Sequence, residues 1–283
     1  MPSSWPGLDG AVVLVTGGTR GVGAGIARSF RAAGATVTTC GRTKPTEPAA
    51  GGFVACDVRE PDQVAALVET VVARHGRLDV LVNNAGGAPP VPAADASPRF
   101  HAGVIGLNLL APLLVAQAVF PVMRGQDGGG VIIMVSSVSG RRPSPGTAAY
   151  GAAKAGLESL TASLAVEWAP EVRVNALAVG LVRTEQAHLH YGDEDGLAAV
   201  GRTVPLGRLA EPEEVGACAV FLASPLASYV TGATLAVHGG GERPAFLAAA
   251  NAGSTEGGSV LKRPTQCAEN PDSRAAGLGG IRR

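Results

Sequence analysis

The stretch Ala11–Gly23, AVVLVTGGTRGVG, runs from a short β-branched segment directly into a glycine-rich turn. The next residues, Gly21–Ala33, place Ile26, Ala27 and Phe30 at a spacing typical of one face of a helix. Glycines permit a tight turn and let the backbone approach a pyrophosphate, which the N–H groups of a helix start bind. The spacing is G-x-x-x-G-x-G rather than G-x-G-x-x-G, and a simple tight loop can look the same. Its position between a strand and a helix favours a nucleotide-binding site.

The rest of the chain repeats this alternation of strands and helices. Further strands are predicted at Thr36–Cys40, Gly52–Cys56, Asp79–Asn83, Val131–Val135, Val172–Ala176 and Thr234–Val237. Helices are predicted at about Pro61–Arg74, Ala149–Trp168 and Glu211–Ala223. Continuous apolar strands alternating with helices predict an α/β fold, namely a Rossmann-type doubly wound parallel sheet of about seven strands with helices on both faces.

The length of 283 residues fits a single α/β domain. We expect one dinucleotide-binding domain over residues 1–250. Residues 251–283 have scattered Gly, Pro and charged residues without usable apolar periodicity, so we expect a flexible C-terminal tail there. The alternative is an ordered arm that packs on a partner subunit.

Charge and hydropathy limit the possible partners. The 23 Lys and Arg residues equal the 23 Asp and Glu residues, so no basic footprint for nucleic acid is present. The segment Val104–Met123 carries no charge and is long enough to span a bilayer as a helix. Asn108 and Pro112 interrupt it, and a helix buried between other elements explains the same composition, so we expect no membrane partner.

Cysteines and histidines give no sign of a metal site. Four cysteines are spread over the chain, at Cys40, Cys56, Cys218 and Cys267. They share no short spacing, so we expect neither a disulfide framework nor a zinc cluster. His188 and His190 have no nearby third ligand, so a metal enzyme is not favoured. Because the N-terminus also lacks the basic and apolar parts of a signal peptide, we expect a cytoplasmic protein.

The end of the second predicted strand bears on the choice of dinucleotide. An NAD site needs an acid there to accept a hydrogen bond from the ribose 2′-hydroxyl. The segment Cys40–Thr43, CGRT, has no carboxylate. Arg42 offers a guanidinium fork that suits a phosphate, and Arg20 projects from the glycine turn. These residues predict NADP(H) in preference to NAD(H), the alternative being that both arginines are solvated surface residues.

A tyrosine and a lysine stand four residues apart, at Tyr150 and Lys154, on one face of a predicted helix. A nearby ammonium is expected to lower the pKa of a phenol toward working pH. Such a phenol can act as the acid in carbonyl reduction or the base in alcohol oxidation. Ser137, at the end of the fifth strand, can donate to the same substrate oxygen.

Together these motifs resemble the short-chain dehydrogenase/reductase family, single-domain type, over about Leu8–Gly241. Further matches are Asp57 with Val58, the NNAG segment Asn83–Gly86, the RVNA segment Arg173–Ala176 and the loop Gly180–Thr184. The resemblance implies an NADP(H)-dependent enzyme that transfers hydride between nicotinamide and a ketone or secondary alcohol, as a carbonyl reductase or 3-oxoacyl reductase does.

The resemblance also implies roles for particular residues. Tyr150 would exchange the proton, Ser137 would stabilise the oxyanion, and Lys154 would tune Tyr150 and hold the nicotinamide ribose. Asn108 would hold a water that links Lys154 to solvent. The implied cofactor-binding residues are Gly17, Thr19, Arg20, Gly21, Val22, Gly23, Arg42, Asp57, Val58, Asn84, Ala85, Gly86, Tyr150, Lys154, Gly180, Val182 and Thr184. The implied partners are a small carbonyl or alcohol substrate, covered by a lid at about 184–208, and copies of this chain in a homodimer or homotetramer.

Two residues depart from the family pattern. Val179 precedes Gly180 where the family has proline, which predicts a more mobile nicotinamide loop. His238 replaces an aspartate and is either a packed residue or a titrating contact between subunits. Two other functions stay open, a non-catalytic nucleotide sensor on the same fold and an enoyl-thioester reductase. The enoyl-thioester branch spaces its tyrosine and lysine more widely than the four residues seen here.

Overall fold

The computed structural model describes residues 7–45 and 52–245. Its centre is a seven-stranded parallel sheet in the order β3-β2-β1-β4-β5-β6-β7. The strands are β1 (Val12–Thr16), β2 (Thr36–Gly41), β3 (Phe53–Ala55), β4 (Val80–Asn83), β5 (Gly130–Ser137), β6 (Val172–Val179) and β7 (Thr234–Val237). The predicted doubly wound sheet is confirmed, and the strand order reverses between β1 and β4, where such folds bind their ligands.

Eight α-helices are found in the described residues. They are α1 (Gly21–Ala32), α2 (Pro61–His75), α3 (Pro98–Ile105), α4 (Ala111–Arg124), α5 (Ala148–Glu167), α6 (His188–Tyr191), α7 (Glu194–Gly201) and α8 (Pro212–Ala223). A π-helical turn, Gly106–Leu110, joins α3 to α4, and short 3-10 turns follow β5 and α8. Proline opens α2, α3 and α8, where its missing N–H costs no hydrogen bond.

Two apolar layers cover the sheet, because neighbouring side chains of a strand point to opposite faces. Val13 of β1 lies in the layer formed with α1 and α8. Leu14 lies in the layer formed with α2, α4 and α5. Both side chains are fully buried, which is why the strands read as continuous apolar runs.

The long helical segment Pro98–Arg124 is apolar and long enough to cross a membrane by length and composition. Val115 and Val119 on its inner side are fully buried against the sheet, whereas Leu110 is 52% exposed. The inner side of this segment is therefore buried, and its outer side leaves Leu110 exposed in the single chain. A helix that lies on one face of a sheet has only one side covered by that sheet. Among the described residues, none covers the Leu110 side chain fully, and it stays exposed to solvent.

The predicted lid, 184–208, contains α6 and α7. Ala187 and Leu197 of this segment form a small apolar cluster with Leu209, which follows it. All strands and helices belong to a unit that ends at Glu242. The predicted tail, 251–283, and Cys267 lie outside the described residues, so the prediction for the tail stays a prediction.

Candidate active site

The predicted site residues come together at the carboxyl edge of the sheet. Ser137 is the last residue of β5, Tyr150 and Lys154 lie in the first two turns of α5, and Asn108 lies in the π-helical turn. Because the carboxyl ends of parallel strands share one edge, the glycine turn after β1 lies at the same edge.

The phenol of Tyr150 lies within reach of the Ser137 side chain. A hydrogen bond from Ser137 lowers the pKa of the Tyr150 phenol, but burial of the phenol is the larger effect and raises its pKa. Lys154 Nζ lies 5.5 Å from the centroid of the tyrosine ring. The expected lowering of the Tyr150 pKa is therefore wrong for this structure, because the cost of a charge in a buried position outweighs the favourable contacts.

Lys154 is held inside the protein, with 3% of its surface exposed. Its ammonium donates to the carbonyl of Val135 over 2.7 Å, and burial lowers its pKa to about 8. A Cβ atom on Gly86 would lie 3.4 Å from Lys154 Nζ and 2.6 Å from Asn108 Oδ1. The glycine of the NNAG segment therefore provides the space in which these two side chains sit.

The side chain of Asn108 is fully buried and bonded to the protein. Its Oδ1 accepts from the Gly87 amide over 2.8 Å, and its Nδ2 donates to the carbonyls of Gly87 and Val104 over 2.9 Å each. Asn108 thus fastens the loop after β4 to the helix that carries it. Its role in holding a water stays a prediction.

A second network, which the sequence did not predict, ties β5 to α5. Ser136 Oγ lies 2.9 Å from Glu158 Oε1 and 3.2 Å from the Lys154 carbonyl. Arg141 Nε donates to the other oxygen of Glu158 over 2.8 Å. Because Glu158 follows Lys154 by one helical turn, its position on the same helix face was the available signal.

The glycine turn is fastened from beneath by Thr16, another residue that the sequence did not single out. Thr16 Oγ1 accepts from the amides of Asn84 and Ala85 over 3.0 Å each. Asn84 Nδ2 in turn donates to the carbonyls of Thr16 and Gly17 over 2.9 and 3.1 Å. A Cβ atom on Gly23 would lie 2.3 Å from the Gly17 carbonyl oxygen, so only glycine fits there.

Helix α1 begins at Gly21 without a side-chain cap at Arg20 and without an acid in its first turn. The Gly21 amide donates instead to Glu185 Oε2 over 3.0 Å. Thr184 lies beside this turn, since a Cβ atom on Gly21 would be 3.5 Å from its Cγ2. The structure therefore brings the predicted nicotinamide loop to the predicted phosphate turn, and an anionic group accepts from the first amide of the helix.

Asp57 is paired with an arginine that the sequence did not predict. Its carboxylate accepts from Arg59 Nε over 3.0 Å and from Arg59 Nη2 over 2.6 Å. The Arg59 contacts lower the pKa of Asp57 to about 2, and Arg42 adds to this effect. Arg42 therefore lies near Asp57, although within the described ranges neither Arg42 nor Arg20 forms an ion pair.

One predicted cofactor-binding residue, Val58, cannot offer its side chain to a cofactor. The Val58 side chain belongs to the apolar core, so only its main chain is available to a ligand.

The two departures from the family pattern, Val179 and His238, lie in neighbouring segments. A Cβ atom on Gly180, the residue after Val179, would lie 2.7 Å from the Cβ of His238. His238 thus packs against the segment that follows Val179. His188 and His190 lie on α6, and no group of three possible metal ligands is found in the part of the chain that the structure describes.

The sheet, the phosphate turn and the Ser–Tyr–Lys cluster define a dinucleotide-dependent oxidoreductase. A family model described as enoyl-(acyl carrier protein) reductase matches residues 17–242. The chain belongs to the short-chain dehydrogenase/reductase family, which implies a nicotinamide cofactor, NAD(H) or NADP(H).

Individual relatives agree with this assignment. An uncharacterized oxidoreductase of Mycobacterium tuberculosis is 38% identical over 243 residues, covering 82% of this chain and 92% of the relative. The L-fucose dehydrogenase of Oryctolagus cuniculus is 39% identical over 245 residues, covering 82% of this chain and 85% of the relative. The structure of the ligand-free aldohexose dehydrogenase of Thermoplasma acidophilum matches with a TM-score of 0.80 and 31% identity, over 84% of this chain and 96% of that chain.

Proposed function

We propose that this protein is an NADP(H)-dependent oxidoreductase that transfers hydride between nicotinamide and a ketone or secondary alcohol. The observation that carries the proposal is the cluster of Ser137, Tyr150 and Lys154 at the same edge of the sheet as the start of α1. The Gly21 amide, which bonds to a carboxylate in this structure, is suited to a phosphate of the cofactor as well.

Each member of the cluster has a task in the proposed reaction. When bound, a nicotinamide would supply the hydride in reduction and would accept it in oxidation. Tyr150 donates its proton to the carbonyl oxygen as the hydride reaches the carbon, while the Ser137 hydroxyl donates a hydrogen bond to that oxygen. The ammonium of Lys154, 5.5 Å from the ring centroid, stabilises the phenolate that remains.

NADP(H) is favoured by charges at the other end of the site. Gly41 ends β2 and offers no carboxylate that would repel a 2′-phosphate. Asp57, the acid near this position, is paired with Arg59. Arg42 therefore has its guanidinium available for a phosphate, and Arg20 can approach from the glycine turn.

Two other functions are less well supported. The relatives named above are oxidoreductases or dehydrogenases, so they give no support to a non-catalytic sensor. The description of the family model names an enoyl reductase, but Tyr150 and Lys154 are four residues apart, whereas the enoyl-thioester branch spaces them more widely.

The test is a substrate panel with both cofactors. Ketones and an enoyl thioester are offered with NADPH or NADH, and secondary alcohols and aldoses with NADP⁺ or NAD⁺. Aldoses are included because two relatives are named as sugar dehydrogenases. We expect turnover of a ketone or an alcohol, fastest with NADP(H). Turnover of the enoyl thioester alone, or cofactor binding without turnover of any compound, would contradict the proposal.

We also propose a homodimer or homotetramer in the cytoplasm. The outer side of Pro98–Arg124 leaves apolar groups such as Leu110 exposed, which a second copy would cover. The thiols of Cys40, Cys56 and Cys218 are free in this structure, as expected in a reducing compartment. Light scattering at micromolar concentration tests the assembly, and a monomer mass of 28.2 kDa would contradict it.

A further inference from the structure

We propose that Glu185 competes with the cofactor for the first amide of α1 and thereby speeds cofactor release. The inference rests on the proposed function, because it requires a dinucleotide whose phosphates bind at this helix start. Neither the motifs nor the family resemblance assigned a role to Glu185.

The contact itself is direct. The Gly21 amide donates to Glu185 Oε2 over 3.0 Å. Gly21 is the first residue of a helix of 12 residues whose Arg20 cap residue supplies no side-chain bond. The positive end of the helix dipole therefore faces the carboxylate of Glu185, as it would face a phosphate.

Glu185 is free to leave this position. Its neighbour Arg183 is bonded to both oxygens of Glu194, over 2.9 and 2.8 Å. Within residues 7–45 and 52–245, Glu185 forms no ion pair. Since its side chain is exposed, it can turn into solvent without leaving a buried charge behind.

A carboxylate and a pyrophosphate cannot share the Gly21 amide. Both are anions that accept from the same N–H group, and like charges at that distance repel each other. Binding of the cofactor must therefore displace Glu185. When the pyrophosphate detaches while the rest of the nucleotide is still bound, Glu185 can take the amide and block reattachment, which speeds release. Release of a product or cofactor limits turnover in many enzymes, so a residue that hastens release can raise kcat while it weakens cofactor binding.

The test measures the rate at which NADPH and NADH leave the full-length protein. Each bound nucleotide is displaced by excess oxidised cofactor in a stopped-flow fluorimeter, for the wild type, Glu185→Gln and Glu185→Ala. An anion at a helix start has a modest effect, so we expect release of both nucleotides to slow about two- to fivefold in Glu185→Ala and less in Glu185→Gln. Where release limits turnover, kcat and the KM for the cofactor should both fall.

Asp195→Asn is the matched control, since Asp195 is an exposed acid of the same lid at the start of α7. It should leave both release rates unchanged. Equal or faster release in Glu185→Ala would overturn the inference. An equal slowing in Asp195→Asn would also overturn it, because the slower release would then follow from the lost negative charge and not from the contact with Gly21. The ratio of NADPH to NADH affinity tests the proposed function separately, because Glu185 should change both affinities alike. A wild type that binds neither nucleotide would overturn both proposals.

Discussion

Lys154 is buried at the end of the site where we propose that the nicotinamide binds, whereas Arg20, Arg42 and Arg59 are exposed at the proposed adenosine end. At the buried end, side chains are held by the protein, as Lys154 is by the Val135 carbonyl. At the exposed end, Arg42 and Arg20 form no ion pair within the described residues. In the proposed function, the residues of the chemical step are held in fixed positions, while the choice of cofactor depends on exposed charges that a single substitution can change.

The largest effect is expected at the buried end, from Tyr150→Phe. This change keeps the ring but removes the proton that the reaction exchanges, so kcat/KM should fall about 10²–10⁴-fold with cofactor affinity retained. Tyr229→Phe is the control, because Tyr229 is fully exposed. Wild-type turnover by Tyr150→Phe would show that the reaction does not use the Tyr150 proton, and the buried end would then not be the site of the chemical step.

At the exposed end, the double variant Gly41→Asp, Arg42→Ala should lose or reverse the cofactor preference without loss of turnover. It removes a cation and adds a carboxylate that repels a 2′-phosphate, and a charged hydrogen bond contributes about 1.5–3 kcal/mol. The ratio of kcat/KM for NADPH to that for NADH should therefore drop about ten- to a hundredfold. Arg124→Ala, at the exposed end of α4, should leave the ratio unchanged. A wild type that prefers NADH would show that both arginines are surface residues only.

The burial of Lys154 should be measurable as a pH dependence of stability. Its pKa of about 8 in the folded protein lies below the usual 10.5, so the unfolded chain binds more protons between these values. The free energy of unfolding should therefore rise with pH across this window, on the order of 2 kcal/mol by pH 10, relative to Lys154→Met. Urea unfolding at pH 7 and pH 10 measures this, with Lys44→Met at an exposed position as the control. Equal pH dependence of the wild type and Lys154→Met would show that Lys154 is not desolvated.

The smallest effect is expected for Arg59→Ala, which leaves the Asp57 carboxylate unpaired near the proposed 2′-phosphate position. Exposed ion pairs contribute about 0.2–1 kcal/mol, so NADPH should bind about two- to fivefold more weakly, with a smaller change for NADH. Arg77→Ala is a matched control, because Arg77 pairs with Asp79 two residues along in the same way. Fluorescence titration measures both affinities, and a larger loss for NADH than for NADPH would contradict the assignment of the phosphate position.

The sheet and the Ser137–Tyr150–Lys154 cluster could be predicted from the sequence because their signals are local. A β-branched run such as Val12–Thr16 marks its own strand, and Tyr150 and Lys154 share a helix face by their spacing. The roles assigned to the individual cofactor-binding residues remain predictions.

What could not be predicted depends on residues far apart in the chain or on burial. The bond between Gly21 and Glu185 joins residues 164 positions apart, so no spacing indicates it. The π-helical turn that contains Asn108 adds one residue to a helical segment. Because the apolar pattern continues on both sides of this turn, the sequence does not indicate it. The direction of the Tyr150 pKa shift was mispredicted because burial, its main cause, is known only once the neighbouring elements are packed.

The distance in sequence between Gly21 and Glu185 also bears on how the protein is made. The phosphate turn lies near the start of the chain, but Glu185 follows β6, so a ribosome must synthesise most of the protein before the two can meet. Contacts of such long range slow folding. A nucleotide whose site needs both the phosphate turn and the loop that carries Glu185 binds the native state and not the unfolded chain, so it shifts the equilibrium by mass action. Adding it during refolding should raise the recovered yield and slow unfolding, while the rate of the first folding steps stays the same.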